Sequence, residues 1–185
     1  MTDADPGSAT LQFPGGTAEF PILASTQGAS SIDIATLTRQ SGLTTLDNGF
    51  VNTASTRSAI TYIDGDQGIL RYRGYPIEEL AQHSTYLEVA WLLIHGELPT
   101  ADELAEFDAT IRRHTLLHED LRRFFTALPH TAHPMTVLSS AIGALSTYYE
   151  DSLSPRDPAQ VEASTVRLIA KLPVIAAYAF KKSVG

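Results

Sequence analysis

The chain has 185 residues, 43% hydrophobic and 18% charged, enough for one ordinary domain with a real core or for a large domain plus part of another, and it excludes disorder and collagen-like repeats. With no cysteine, disulfides, thiolate nucleophiles and cysteine zinc sites are removed together, leaving His, carboxylates, Ser, Tyr, Arg and Lys to carry any chemistry. Thirteen cations against twenty-one carboxylates leave a net charge of -8, which disfavours nucleic acid and anionic membrane surfaces as partners.

Residues 1–8 are small and polar and are expected to form a disordered tail. They contain neither a cationic n-region nor an apolar h-region, and no unbroken apolar stretch, Val89 to Ile94 included, approaches the roughly 20 residues a span needs. A soluble, cytoplasmic protein is therefore expected. Residues 9–73 should be β-rich. ATLQF and TAEFPI flank Pro14-Gly15-Gly16 and predict a hairpin; SAITYI and ILRYR flank Asp64-Gly65-Asp66-Gln67-Gly68 and predict a second, the Asp-Gly pair supplying the positive φ of the reversal. Between them Ile32 to Gln40 predicts one short helix before Gly42.

From 74 to 185 the pattern is helical. Pro76 should open a helix through Gln82. Tyr86 to Ile94, apolar almost all round, predicts a fully buried helix stopping at His95-Gly96. Thr100-Ala-Asp-Glu103 is a capping box, in which hydroxyl and carboxylate reciprocally take the two exposed amides. Further helices are expected near 118–128, 135–149 and 158–172, with Pro173 breaking the line before a last helical piece at 174–183. The segment Leu172 to Phe180 reads LPVIAAYAF, and the chain stops at Gly185. Such an apolar finish suggests a cut chain, or a face that packs back on the other helices or on a second chain, because each large apolar side chain left wet costs about 1.5 to 3 kcal/mol.

No nucleophile elbow, Walker loop or dinucleotide fingerprint is present. His114 and His118, four apart in RRHTLLHED, would share one helix face like a metal-binding pair, but no third ligand has matching spacing and the intervening Leu116-Leu117 favour core or interface histidines. His130 and His133 lie in a proline-flanked loop. The cations are more suggestive. Beyond Glu162 there are Arg167, Lys171, Lys181 and Lys182 and no carboxylate. Arg167 and Lys171 stand one helical turn apart, a mutual repulsion that an anion between them would relieve. With Arg112, Arg113 and His114 at one helix end and Tyr148-Tyr149 at another, they offer phosphate-binding cations and flat rings for a base. The competing reading is a set of solvated surface charges, or cations paired with carboxylates such as Glu119 and Glu162.

The stretch ITYIDGDQGILRYRGYPIEELAQHSTYLEVAWLLIHGELPT closely resembles the N-terminal part of the type II, long-form bacterial citrate synthases. The likeness continues through RRHTLLHE, HPM, YYEDSL and RLIAKLPVIAAYAFKKSVG, from about Leu11 to Gly185. It implies a mainly α protein with a small β-rich N-terminal region, the N-terminal part of the all-α citrate synthase fold, whose helical portion from 74 belongs to a large domain truncated at 185. It also implies an acyltransferase at the entry to the tricarboxylic acid cycle, condensing acetyl-CoA with oxaloacetate to citrate and CoA. In that chemistry an Asp takes a methyl proton while one His polarises the thioester and another the ketone.

Those motifs match none of the six His here, so no catalytic, cofactor-binding or metal residue is assigned and the 185-residue chain is expected to be inactive. No cofactor is required, with acetyl-CoA a substrate of the full-length enzyme. The resemblance further implies a homo-oligomer through the 135–149 helix, whose Ser139, Ser140, Ala141, Gly143 and Ala144 permit close helix approach. It also implies an allosteric NADH site at Arg113, His114, Thr115, Tyr149, Arg167 and Lys171, although Leu116 stands where a Met is expected. Alternatives are a 2-methylcitrate synthase, against which the β-rich stretch before Thr56 speaks, and a non-catalytic nucleotide-binding or oligomerisation module.

Overall fold

The computed structural model describes residues 6–185. The chain divides into two units, one ending at Gln82 and the other running His83–Gly185. In the first, β1 (Ser8–Phe13) and β2 (Gly16–Leu23) form the predicted hairpin. Phe13 faces Gly16 across Pro14-Gly15, and Gly15 takes the left-handed φ of 111° that its place after a turn proline requires. The short β3 (Ser31–Ile32) joins the free edge of β2. Helix α1 is only Leu37–Ser41, stopped by Gly42 in the left-handed conformation. Ala18, Phe20 and Leu37 make a small core with Phe13 packed on it.

The second hairpin pairs β4 (Thr61–Asp64) with β5 (Ile69–Tyr72). Its positive φ falls on Gly68 at 67°, not on Gly65, because the Asp64 carboxylate accepts the Asp66 and Gln67 amides and carries the early part of the loop. A third reversal goes unannounced in the hydrophobic pattern. Tyr72 faces Tyr75 of β6 (Tyr75–Pro76) across Arg73-Gly74, both with positive φ (50° and 92°), as a tight primed turn needs. Of the segment expected to be disordered, residues 1–5 lie outside the described residues and Ser8 already belongs to a strand.

Helix α2 (Ile77–His83) begins directly after Pro76. Helix α3 (Tyr86–His95) starts with a capping box that the sequence reading overlooked, Thr85 with Glu88, and stops at left-handed Gly96. It is not fully buried: Leu92 is, whereas Tyr86 is 71% exposed and Ile94 41%. Uniform apolarity does not say which side a neighbour covers. Helix α4 (Ala101–Arg113) carries the Thr100–Glu103 box as expected. Then come α5 (Glu119–Thr126), α6 (Pro134–Leu145), two 3-10 turns at Ser146–Tyr148 and Glu150–Ser152, and α7 (Pro158–Val184).

Helix α7 corrects the expected break. It runs for 27 residues through Pro173. The missing amide forfeits one backbone bond, and the ring sits on an exposed side while Ala170, Ile175 and Ala179 are buried on either side of it. Two cores result. Leu121 and Phe125 of α5, Val137, Ala141 and Leu145 of α6, and Ile175 and Ala179 of α7 form one. Phe107 and Ile111 of α4 with Ala170 of α7, and Trp91 packed against them, form the other.

The apolar finish therefore packs back in part, through Ile175 and Ala179, while Leu172 and Phe180 stay exposed. By length and composition α7 is long and apolar enough to cross a membrane, a test the broken-run reading could not apply and one that core helices of soluble proteins also pass.

Candidate functional site

The site grows from the first residues of α7. Asp157 accepts the Ala159 amide and Pro158 takes the first turn, so the helix start is fixed. Gln160, one turn in, accepts the Leu153 and Ser154 amides and holds the loop that follows α6 against the helix. This places Asp151 and Ser152 beside Arg167. The Arg167 guanidinium donates from Nη1 and Nη2 to the two Asp151 oxygens at 2.7 Å each, and from Nη1 to Ser152 Oγ at 2.6 Å. Its carbon lies 4.5 Å from the centre of the Tyr149 ring, a cation on a π face. The bidentate bond from Arg167, helped by its charge, lowers the Asp151 pKa, and the same bond raises that of Arg167.

Lys171, one turn further, is only 2% exposed. Its ammonium donates to the carbonyls of His114 at 2.6 Å and Leu116 at 2.5 Å and lies 5.4 Å from the Tyr149 ring centre. A buried ammonium without a carboxylate is tolerated because two carbonyls at the end of α4, where the helix dipole is negative, and an aromatic face meet it. Lys171 thus closes the C-terminal end of α4. The His114 ring is pushed below the ordinary histidine value, first by burial, then by Arg167, Lys171 and Arg113, with Asp151 opposing.

The structure accordingly brings together His114, Tyr149, Arg167 and Lys171. Arg113 is exposed and donates to Thr110 Oγ1 at 2.8 Å, and Thr115 turns its hydroxyl to the Arg112 carbonyl. The carboxylate that answers Arg167 is neither of the two named from sequence. Glu119 pairs with Arg122 at 3.1 Å, and Glu162 lines a separate cleft. Asp151 was missed because no helical or strand period links a loop residue to a helix sixteen positions later; the acidic pair Glu150-Asp151 beside Tyr149 was the available signal.

The histidines are fasteners. His114 and His118 do not share a helix face: the first caps the end of α4, the second caps the start of α5 by accepting the Asp120 amide. His133 caps α6 in the same way, and His130 Nδ1 meets the Lys182 carbonyl at 2.6 Å. Among the described residues no group of three or more His, Asp or Glu could hold a metal ion.

Residues 49–185 match the family described as citrate synthase, C-terminal domain. Citrate synthase 1 of Mycobacterium tuberculosis (strain ATCC 25618 / H37Rv) is 60% identical over all 185 residues, which cover 43% of that relative. Citrate synthase of Corynebacterium glutamicum is 50% identical over 181 residues, 98% of this chain and 41% of the relative. The chain thus spans less than half the length of these relatives. Among solved structures, citrate synthase from Pyrobaculum aerophilum superimposes with a TM-score of 0.66 at 29% identity, covering 100% of this chain and 41% of that one.

Proposed function

This chain belongs to the citrate synthase family, and on that footing we propose that it is the amino-terminal part of a long-form enzyme that joins acetyl-CoA to oxaloacetate. The new carbon–carbon bond would form between the acetyl methyl carbon and the ketone carbon, and water would cleave the thioester to citrate and CoA. The observation that carries the reading is the 60% identity maintained across all 185 residues. Within it, these residues build scaffold: the His118 and His133 rings cap helix starts, the His95 ring lies against Trp91, and His114 stands at the end of α4. The test is CoA release from acetyl-CoA plus oxaloacetate. The 185-residue chain should release none above buffer and the same chain extended to its relatives' length should turn over, preferring acetyl-CoA to propionyl-CoA; turnover by the 185-residue chain would refute the division of labour.

Two further parts of the reading concern assembly and regulation. We propose that α6 pairs with a second copy: Ser139, Ser140 and Gly143 are exposed on its outer side, whereas Ala141 is buried inward, so the outward small residues permit close approach. Light scattering should then show a species larger than the 20.0 kDa monomer. For NADH at Arg113, His114, Thr115, Tyr149, Arg167 and Lys171, Arg167 must exchange Asp151 for a phosphate. Arg167→Ala in the extended chain should weaken NADH binding tenfold or more, since a charge-assisted contact contributes about 1.5 to 3 kcal/mol. Asp151→Asn should tighten it. Absence of a saturable calorimetric signal with the unaltered chain would end this part of the reading.

A further inference from the structure

Between α3, α4 and the start of α7 lies a half-open cavity of about 530 Å³. Each contributes positions at helical spacing: Trp91, Ile94 and His95 from α3, Glu103, Glu106, Phe107 and Thr110 from α4, and the start of α7. The wall is preformed. The Trp91 ring is held by His95 at 3.8 Å between centroids and edge-on by Phe107 at 5.4 Å, so it stands as an aromatic side of the space. Val161 and Val166 complete the apolar lining.

The polar groups are selective. Thr165 gives its hydroxyl to the Val161 carbonyl, Thr110 accepts from Arg113, and Glu103 is engaged in its capping box. Glu106 and Glu162, from two different helices, remain, and no Lys or Arg is among the described residues that line the space. His95, the one basic side chain of the lining, lies against Trp91 and near Glu103, so the two remaining carboxylates, the aromatic wall and the apolar lining together favour one ligand chemistry. We propose that it binds a small amphipathic cation: an apolar or aromatic body carrying one ammonium group, the body against Trp91 and the charge toward Glu106 and Glu162. The proposal is independent of the citrate-forming reading.

Trp91 is the chain's one tryptophan, so its fluorescence reports this cavity alone. Phenethylammonium, its neutral counterpart 2-phenylethanol and the anion 3-phenylpropionate would be titrated at constant ionic strength. The cation should give a saturable change at a concentration at least fivefold below the alcohol, and the anion none. Glu106→Gln and Glu162→Gln, both exposed near-isosteric changes whose folding circular dichroism would verify, should each weaken the cation about two- to fivefold and leave the alcohol unchanged. Equal responses to cation and alcohol, a response to the anion, no saturable response at all, or Gln variants that bind the cation as before would each overturn the proposal.

Discussion

Replacing Lys171 by Met isolates what the buried ammonium does, because Met retains most of the apolar stem and removes the three donors. In the native chain two of those donors reach the His114 and Leu116 carbonyls. Without them two acceptors in the turn after α4 lose this donor, at about 1 to 3 kcal/mol for each group left unsatisfied and toward the low end for carbonyls that water can reach. The loss of the π contact with Tyr149 adds up to about 1 kcal/mol. Against this stands relief of the desolvation borne by the ammonium, several kcal/mol for an ion wholly removed from water but less for one already surrounded by dipoles.

The carbonyls should prevail, leaving Lys171→Met destabilised by about 2 to 3 kcal/mol. For a chain of this size that is a fall in Tm of about 4 to 12 °C. Thermal unfolding followed at 222 nm reads the change, and hydrogen exchange should locate the loosening at residues 114–117, between α4 and α5. A variant that melts at or above the native temperature would refute the reasoning, showing that Lys171 is a strained buried charge and not the fastener of that turn.

Three other outcomes follow from the same structure. The folded His114 pKa is depressed, so the unfolded chain binds more protons; stability from this group is complete above the ordinary value of 6.5 and is lost as pH falls through the folded pKa. Melting curves from pH 5 to 8 should show this slope, and His114→Asn should flatten it. Leu121, fully buried among α5, α6 and α7, should cost about 2 to 5 kcal/mol on truncation to Ala, measured by urea unfolding. Thr100→Ala removes the capping hydroxyl of α4 and should cost about 1 kcal/mol by the same measurement.

What the sequence determined by itself was local. The Pro14-Gly15 hairpin, the Thr100 box and the stops at Gly42 and Gly96 follow from groups satisfied within a few residues, where side-chain chemistry and backbone φ leave few alternatives. The adjacency of Arg167 and Lys171 was legible as well, since one helical turn separates the two cations; Tyr149 as their ring came only with the family resemblance. Tertiary structure decided who answers whom. Asp151, brought in by a loop that Gln160 holds, takes Arg167 where the repulsion between cations had suggested an outside anion; Lys171 reaches carbonyls more than fifty residues back in the chain.

Packing also carried α7 through Pro173, while the hairpin's positive φ moved from Gly65 to Gly68 through the local Asp64 carboxylate. For α7 the deciding energy comes from apolar surfaces distant in sequence, and a pattern with a period of two or 3.6 residues holds no information about which distant group will arrive.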